Sequence, residues 1–203
     1  MIPVQQLVAQ CAPFVAPSTM AAIVRVESGG NPLVILDNTT GRDYYPQTVQ
    51  QGAAIIRHLL SIGHTQIDVG IAQVDTENFA AYGLTPSAAL NACTNLRAGA
   101  RILQDAYKMS AATYGPGQTA LYHAFEAYNS GRLIGDPAYA NHVLAAAGVP
   151  VFVGSNGRIQ YQHRQNYHPF ILYWKDARGV NKPEPYHVDS HYRLRSLTGA
   201  VAW

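Results

Sequence analysis

Glu27 is the residue whose type and setting best suit chemistry. It falls in the last turn of a helix expected from about Thr19 to Ser28, among Met20, Ala21, Ala22, Ile23, Val24 and Val26. A carboxylate there faces the negative end of the helix dipole, and its apolar neighbours deny it water. Both effects raise a carboxylate's pKa, and a Glu kept protonated near neutral pH is what general-acid catalysis requires. The competing explanation is a solvated Glu, or one paired with a nearby Arg. Two further segments suit binding. In Asp68-Val69-Gly70-Ile71-Ala72-Gln73, Gly70 permits close approach of backbone to a ligand, and the Gln73 amide can both donate and accept; a strand with a polar end explains the segment equally well. In Ala127-Tyr128-Asn129-Ser130-Gly131, Tyr128 and Asn129 stand at a helix end, where a core aromatic and a C-terminal cap are the simpler explanation.

The elements that must hold these residues are mostly helical. Pro3 to Cys11 reads as a short amphipathic helix, interrupted by Pro13 and Pro17. Ser18 is a good N-cap for the helix carrying Glu27, which Gly29-Gly30 and Asn31-Pro32 end. Residues 33–46 read as irregular or extended, with a turn at Asn38-Thr39-Thr40-Gly41. A helix over about Thr48–Ile62 follows, then a short β-like stretch from His64 to Val74 with Gly70 inside it. Thr76 is expected to cap a helix ending at Gly83, and Thr85-Pro86 to open another. The longest helix runs from about Thr94 to Thr113, Gly115-Pro116-Gly117 breaks the chain, and helices near 118–129 and 137–147 close the body. The fold class is α+β, predominantly α, with one small extended region.

Composition narrows the function. The chain of 203 residues is 48% hydrophobic and 13% charged, against roughly 25% charged in average soluble domains. That excludes a disordered polyampholyte and a coiled coil, and a net charge of +2 argues against a nucleic-acid binder of the basic-patch type. No run of about 18 uninterrupted apolar residues marks a membrane span. The charge is unevenly placed: residues 1–150 sum to −2 and residues 151–203 to +4, so a boundary near Pro150 separates a mildly acidic body from a basic, Tyr-containing tail. Cys11 and Cys93 are either two buried thiols or one disulfide; neither has a partner at C-x-x-C spacing, which argues against zinc. The first residues show no basic n-region or apolar h-region, so either no signal peptide exists or the chain is a mature portion.

Taken in order, Glu27-Ser28 with Gly29-Gly30-Asn31-Pro32, Gly-x-x-Gln at 70–73, and Ala-Tyr-Asn at 127–129 resemble the motifs of the soluble lytic transglycosylase family, whose fold is lysozyme-like, of the goose type. Asp37-Asn38-Thr39-Thr40-Gly41 and Cys93-Thr94-Asn95-Leu96-Arg97-Ala98-Gly99-Ala100 are similar, more narrowly, to the lytic transglycosylase component of type IV secretion and conjugation systems. The resemblance spans roughly residues 4–150. It implies a lysozyme-like domain over 1–150 that acts in the periplasm on peptidoglycan glycan strands, without cofactor or metal. Glu27 corresponds to the catalytic acid/base and Ser28 to a residue that helps orient it. Gly70, Ile71 and Gln73 would contact the sugar and its N-acetyl group, Tyr128 would pack beside Glu27, and Asn129 would lie in the same cleft. Cys11 and Cys93 would be paired. The implied reaction cuts between N-acetylmuramic acid and N-acetylglucosamine and closes a 1,6-anhydro ring. An internal hydroxyl replaces water, so one carboxylate suffices where ordinary glycosidases use two.

The chain departs from the family pattern at Ala72, where a bulky residue is usual, and at Val74-Asp75, where Ile-Asn is frequent. The first implies a differently shaped subsite and the second an extra carboxylate near the cleft. Two competing readings follow. A hydrolytic muramidase would draw a second carboxylate from Asp68, Asp75 or Glu77; a peptidoglycan-binding scaffold would leave Glu27 vestigial. Residues 151–203 match no part of the pattern and are expected to touch other proteins of the secretion or conjugation apparatus, or the anionic wall. A metal site on His187 and His191, with His163 and His168 close by, would need a helix that Pro183 and Pro185 disfavour.

Overall fold

The structure, a computed structural model, describes residues 3–147 and the backbone of strands 152–153, 159–160, 171–175, 181–188 and 194–196. Its contacts divide into two units: residues 1–13 with 23–100, and residues 14–22 with 101–203.

The first unit begins with α1 (Val4–Cys11), whose Val8 and Cys11 are buried. A disulfide joins Cys11 to Cys93, 82 residues along the chain. Arg97 Nε reinforces the junction by donating to the Cys11 carbonyl at 3.3 Å. The last turns of α2 (Pro17–Ser28) follow. A sheet then forms from β1 (Ile35–Asp37), β2 (Arg42–Tyr44), β3 (Ile67–Val69) and β4 (Val74–Asp75), in the order β2-β1-β3-β4 with every neighbouring pair antiparallel. Alternation sorts its side chains. Ile35, Asp37, Ile67, Val69 and Val74 are buried, while register places Asp43, Leu36, Asp68 and Asp75 in one row on the other face. Buried Asp37 is the exception on the apolar face. It accepts from the Thr40 hydroxyl at 2.6 Å, the Thr39 N–H at 3.1 Å and His64 Nδ1 at 2.9 Å. Burial pushes its pKa up, but these hydrogen bonds, to Thr40 first and then His64 and Thr39, outweigh it and hold the carboxyl below its usual range.

Between β2 and β3 lies α3 (Val49–Ser61), capped by Thr48, which accepts from the Gln51 N–H. Its Gly52 packs closely, since a Cβ there would come within 2.7 Å of Leu90 Cδ1, which would have to move aside. A 3-10 turn (Thr76–Asn78), α4 (Phe79–Tyr82) and α5 (Pro86–Ala89) lead into α6 (Ala92–Tyr114). Thr85 caps α5 with Pro86 in its first turn, as the sequence implies.

The second unit holds the start of α2, most of α6, α7 (Gln118–Ser130) and α8 (Pro137–Ala146). α7 packs on α8, burying Leu121, Ala124, Phe125 and Ala127 on one side and Tyr139, Ala140, Val143 and Leu144 on the other. At the Gly115–Gly117 break, the Gly117 N–H donates to the Tyr107 hydroxyl at 3.0 Å. Beyond residue 147 the backbone pairs β5 (Phe152–Val153) with β6 (Ile159–Gln160), and β7 (Ile171–Lys175) with β8 (Asn181–Val188) and β9 (Leu194–Ser196).

Three expectations are corrected. α2 starts at Pro17, so Ser18 lies inside it rather than at its cap, and its hydroxyl is buried without a partner; proline's fixed φ suits a first helical position. The 3-10 turn is capped by Asp75, which accepts from the Glu77 N–H. The Thr76 hydroxyl instead joins the Thr65 carbonyl and the Ile67 N–H, tying two chain segments together. The β-like stretch 64–74 is two strands divided by a turn at 70–73, with Gly70 at φ 82° and Gln73 at φ 44°. His187 lies in β8, not on a helix, while His163, His168 and His191 fall outside the described residues. Among the described residues no helix is long and apolar enough to cross a membrane.

Candidate active site

Glu27 is half-buried in the last turn of α2. Helices end where carbonyls lose their partners, and Ser28 organises this end. Its hydroxyl donates to the Ile71 carbonyl at 2.7 Å and lies 3.3 Å from the Val24 carbonyl, while accepting from the Gly30 N–H at 3.1 Å. The residue after Glu27 thus fastens the helix end to the 70–73 turn, 43 residues along the chain.

That turn is satisfied from within. Gly70 donates to the Val34 carbonyl at 2.8 Å and accepts from the Gln73 N–H at 3.1 Å. The Gln73 side chain folds back, Nε2 donating to the Gly70 carbonyl at 2.7 Å and to the Val34 carbonyl at 3.2 Å. Beneath it lies Asn95, fully buried. Asn95 Oδ1 accepts from the Ala72 N–H at 2.8 Å, and Nδ2 donates to the Val69 and Ala89 carbonyls, each at 2.8 Å. Gly70 is the one residue type that fits: a Cβ would come within 2.4 Å of the Ala89 carbonyl oxygen and 2.7 Å of Asn95 Nδ2. Ala72 and Ile71 are both buried, at 0% and 3% exposure. The methyl of Ala72 therefore faces the interior, and the groups left for a ligand are those that Gln73 and the backbone do not already use.

Asp68 and Asp75 stand opposite each other across β3 and β4. Partial burial, aided by the Asp75 charge, raises the Asp68 pKa to about 6 against the opposing bond from Asn38 Nδ2. Asp75 is also raised, by partial burial first and the Glu77 charge next, against the bond from the Glu77 N–H.

Tyr128 and Asn129 belong to the second unit. Tyr128 is half-buried and stacks on Tyr139, with ring centroids 6.3 Å apart. Asn129 is exposed and is not the helix cap, a position taken by Gly131. Its Nδ2 donates to Asp136 Oδ2 at 2.9 Å, while Asp136 Oδ1 accepts from the Tyr139 N–H at 3.0 Å and so caps α8. Buried Glu126 meets His123 Nδ1 at 2.6 Å, and the same nitrogen lies 2.9 Å from the Leu133 carbonyl. The imidazole stacks on Tyr114.

The structure therefore gathers Ser28, Gly70, Ile71 and Gln73 around one turn next to Glu27, and Tyr128 with Asn129 around one helix end. Sequence reading quoted Asn95 only within the Cys93–Ala100 string and gave it no role, and it passed over Asp136 and the His123–Glu126 pair. Asn95 carried one usable signal, an amide on the same side of α6 as buried Ala98 and Leu103. The pairing of Asp136 with Asn129 had none, because it depends on how the loop from Gly131 to Gly135 closes.

A mostly helical body over the described residues 3–147 with one small antiparallel sheet, and a half-buried Glu at the end of the helix leading to it, defines the lysozyme-like α+β class. The family model described as the transglycosylase SLT domain matches residues 7–140, and the chain belongs to that family. It is similar to "Protein virB1" of Rhizobium radiobacter, 45% identical over 125 residues, which are 62% of this chain and 52% of that protein. It is also similar to "Protein virB1" of Agrobacterium fabrum, 42% identical over 122 residues, 60% of this chain and 49% of that protein. With "Type IV secretion system protein virB1" of Brucella abortus it shares 39% identity over 158 residues, 73% of this chain and 66% of that protein. The chain spans about half the length of the Rhizobium and Agrobacterium relatives. No solved structure is a significant match.

Proposed function

We propose that the protein is a peptidoglycan lytic transglycosylase with Glu27 as its single catalytic acid/base. Family membership combined with the anchoring of the Glu27 helix end to the Gly70–Gln73 turn by Ser28 carries this reading. Glu27 gives its proton to the glycosidic oxygen between N-acetylmuramic acid and N-acetylglucosamine as the C1–O bond breaks. The substrate's own N-acetyl group supports the positive charge on C1. The Glu27 carboxylate then takes the proton of the muramic C6 hydroxyl, O6 bonds to C1, and the 1,6-anhydro product leaves with no water consumed. Ser28 holds Glu27's helix end, Gly70, Ile71 and Gln73 form the wall for the sugar and its N-acetyl group, and Tyr128 and Asn129 are further substrate-binding residues. Residues 1–150 form the catalytic domain. The printed name of the Brucella relative supports work for a type IV secretion apparatus; on this reading the protein acts on the wall in the periplasm, with the basic tail at 151–203 contacting other components of the apparatus.

A second reading has one observation in its favour. Asp68, with its pKa near 6 and Asp75 opposite, is the kind of second carboxylate that hydrolysis needs. Glu27→Gln tests both enzyme readings against a scaffold. The variant should sediment with insoluble peptidoglycan like the parent while releasing no muropeptides; release at the parental rate would remove Glu27 from the mechanism.

A further inference from the structure

Asn95 is fully buried, and all three of its side-chain hydrogen bonds end on backbone at or beside the turn. It grips the chain at the Val69 carbonyl before Gly70 and at the Ala72 N–H after it. Between those points, the Ile71 carbonyl receives the Ser28 hydroxyl. The same amide holds the Ala89 carbonyl against Gly70 with no space for a side chain. Carboxamides are the uncharged side chains that accept at one atom and donate twice at the other, and this site uses all three capacities. Next to the Ala72 N–H that Asn95 grips, Gln73 stands at φ 44°, a conformation costly for a residue with a Cβ. Backbone strain of this kind persists only where the surroundings over-determine it.

We propose that Asn95 is a positioning residue for the reaction: it fixes the Gly70–Gln73 turn to which Ser28 fastens the end of α2, and so sets where Glu27 stands against the glycosidic oxygen. The inference rests on the transglycosylase reading. Asn95→Asp tests it. When ionised, the new carboxylate still accepts from the Ala72 N–H but faces the Val69 and Ala89 carbonyls without a proton to give, and burial pushes its pKa above the usual carboxylate range. Once protonated it can donate to one of them.

Cleavage of soluble glycan strands is measured for parent and variant from pH 5 to 8, at a temperature where near-ultraviolet circular dichroism shows both folded. The expected result is a kcat about 100-fold below the parent's at pH 7.5, the size of loss expected from displaced catalytic geometry. KM should stay within about threefold, and the kcat deficit should shrink roughly tenfold on going to pH 5. Asn95→Ser, which cannot regain a proton, should show a pH-independent deficit. A folded Asn95→Asp with parental kcat at every pH overturns the proposal, as does a loss carried by KM alone. If neither variant folds, Asn95 is a stability residue and the proposal is equally overturned. Failure of the underlying reading has a separate signature: Glu27→Gln, assayed alongside, would cleave as the parent does, and the positioning role would fall with it.

Discussion

The Gly70–Gln73 turn and the Tyr128–Asn129 helix end carry the same kinds of side chain, an amide beside small or aromatic residues, yet they are held in opposite ways. The turn is fixed from below: fully buried Asn95 satisfies its backbone, and Gly70 presses on that amide without room for a methyl. The helix end is fixed from the surface: exposed Asn129 reaches Asp136, which caps α8, and Tyr128 lies on Tyr139. Buried hydrogen bonds cost more to break than exposed ones, because the partner left behind has no water. Equal-looking motifs should therefore fail by very different amounts when cut.

The largest effect is expected next to the turn. Opening the Cys11–Cys93 bridge by a double Ser substitution frees a loop spanning 82 residues of separation and should cost roughly 4–5 kcal/mol in the chain-entropy picture. Denaturant unfolding would read this, and a loss below about 1 kcal/mol would mean that the rest of the unit already holds α1 in place. Gly70→Ala comes next. A methyl within 2.4 Å of the Ala89 oxygen, at φ 82°, should destabilise by about 3 kcal/mol from overpacking and strain together. A neutral Gly70→Ala would show the turn to be as loosely held as the helix end. On that side, Asp136→Ala removes the α8 cap and should cost about 1 kcal/mol, and Asn129→Ala should change stability by less than about 0.5 kcal/mol. Costs in the reverse order would erase the contrast between the two regions.

Much of this architecture is readable in the chain because it is local. Gly29-Gly30, Thr48, Thr85-Pro86 and Gly115-Pro116-Gly117 mark helix boundaries through their own backbone preferences, and the structure places boundaries there. The turn at 70–73 is not local. Ile67, Val69 and Ile71 keep a period of two, which reads as one strand through Gly70. The turn that divides it is held from Asn95, more than twenty residues on, which accepts from the Ala72 N–H, and no pattern within the segment contains that contact. The place of Glu27 in the last turn of an apolar helix was legible, whereas the bonds that anchor its neighbour Ser28 were not. The disulfide was legible only through family resemblance, since the spacing of two cysteines carries no pairing.

A smaller effect separates the two enzyme readings. The Asp68 pKa is raised to about 6, mainly by burial. A carboxyl whose folded pKa lies above its unfolded value destabilises the fold as pH rises through that window, and has no such effect below about pH 4. Asp68→Asn should therefore stabilise at pH 7–8 by on the order of 1 kcal/mol, discounted for partial exposure, and give no gain near pH 3.5. The same variant should still cleave glycan strands if Glu27 acts alone; loss of cleavage in a folded Asp68→Asn would favour hydrolysis through a second carboxylate.

Mass spectrometry of the muropeptides released from purified peptidoglycan tests the central claim most directly. A single carboxylate using the substrate's own C6 hydroxyl predicts products ending in 1,6-anhydro-N-acetylmuramic acid, each lighter by one water than its hydrolysed counterpart, and none from Glu27→Gln. Release of reducing-end muropeptides alone would contradict it.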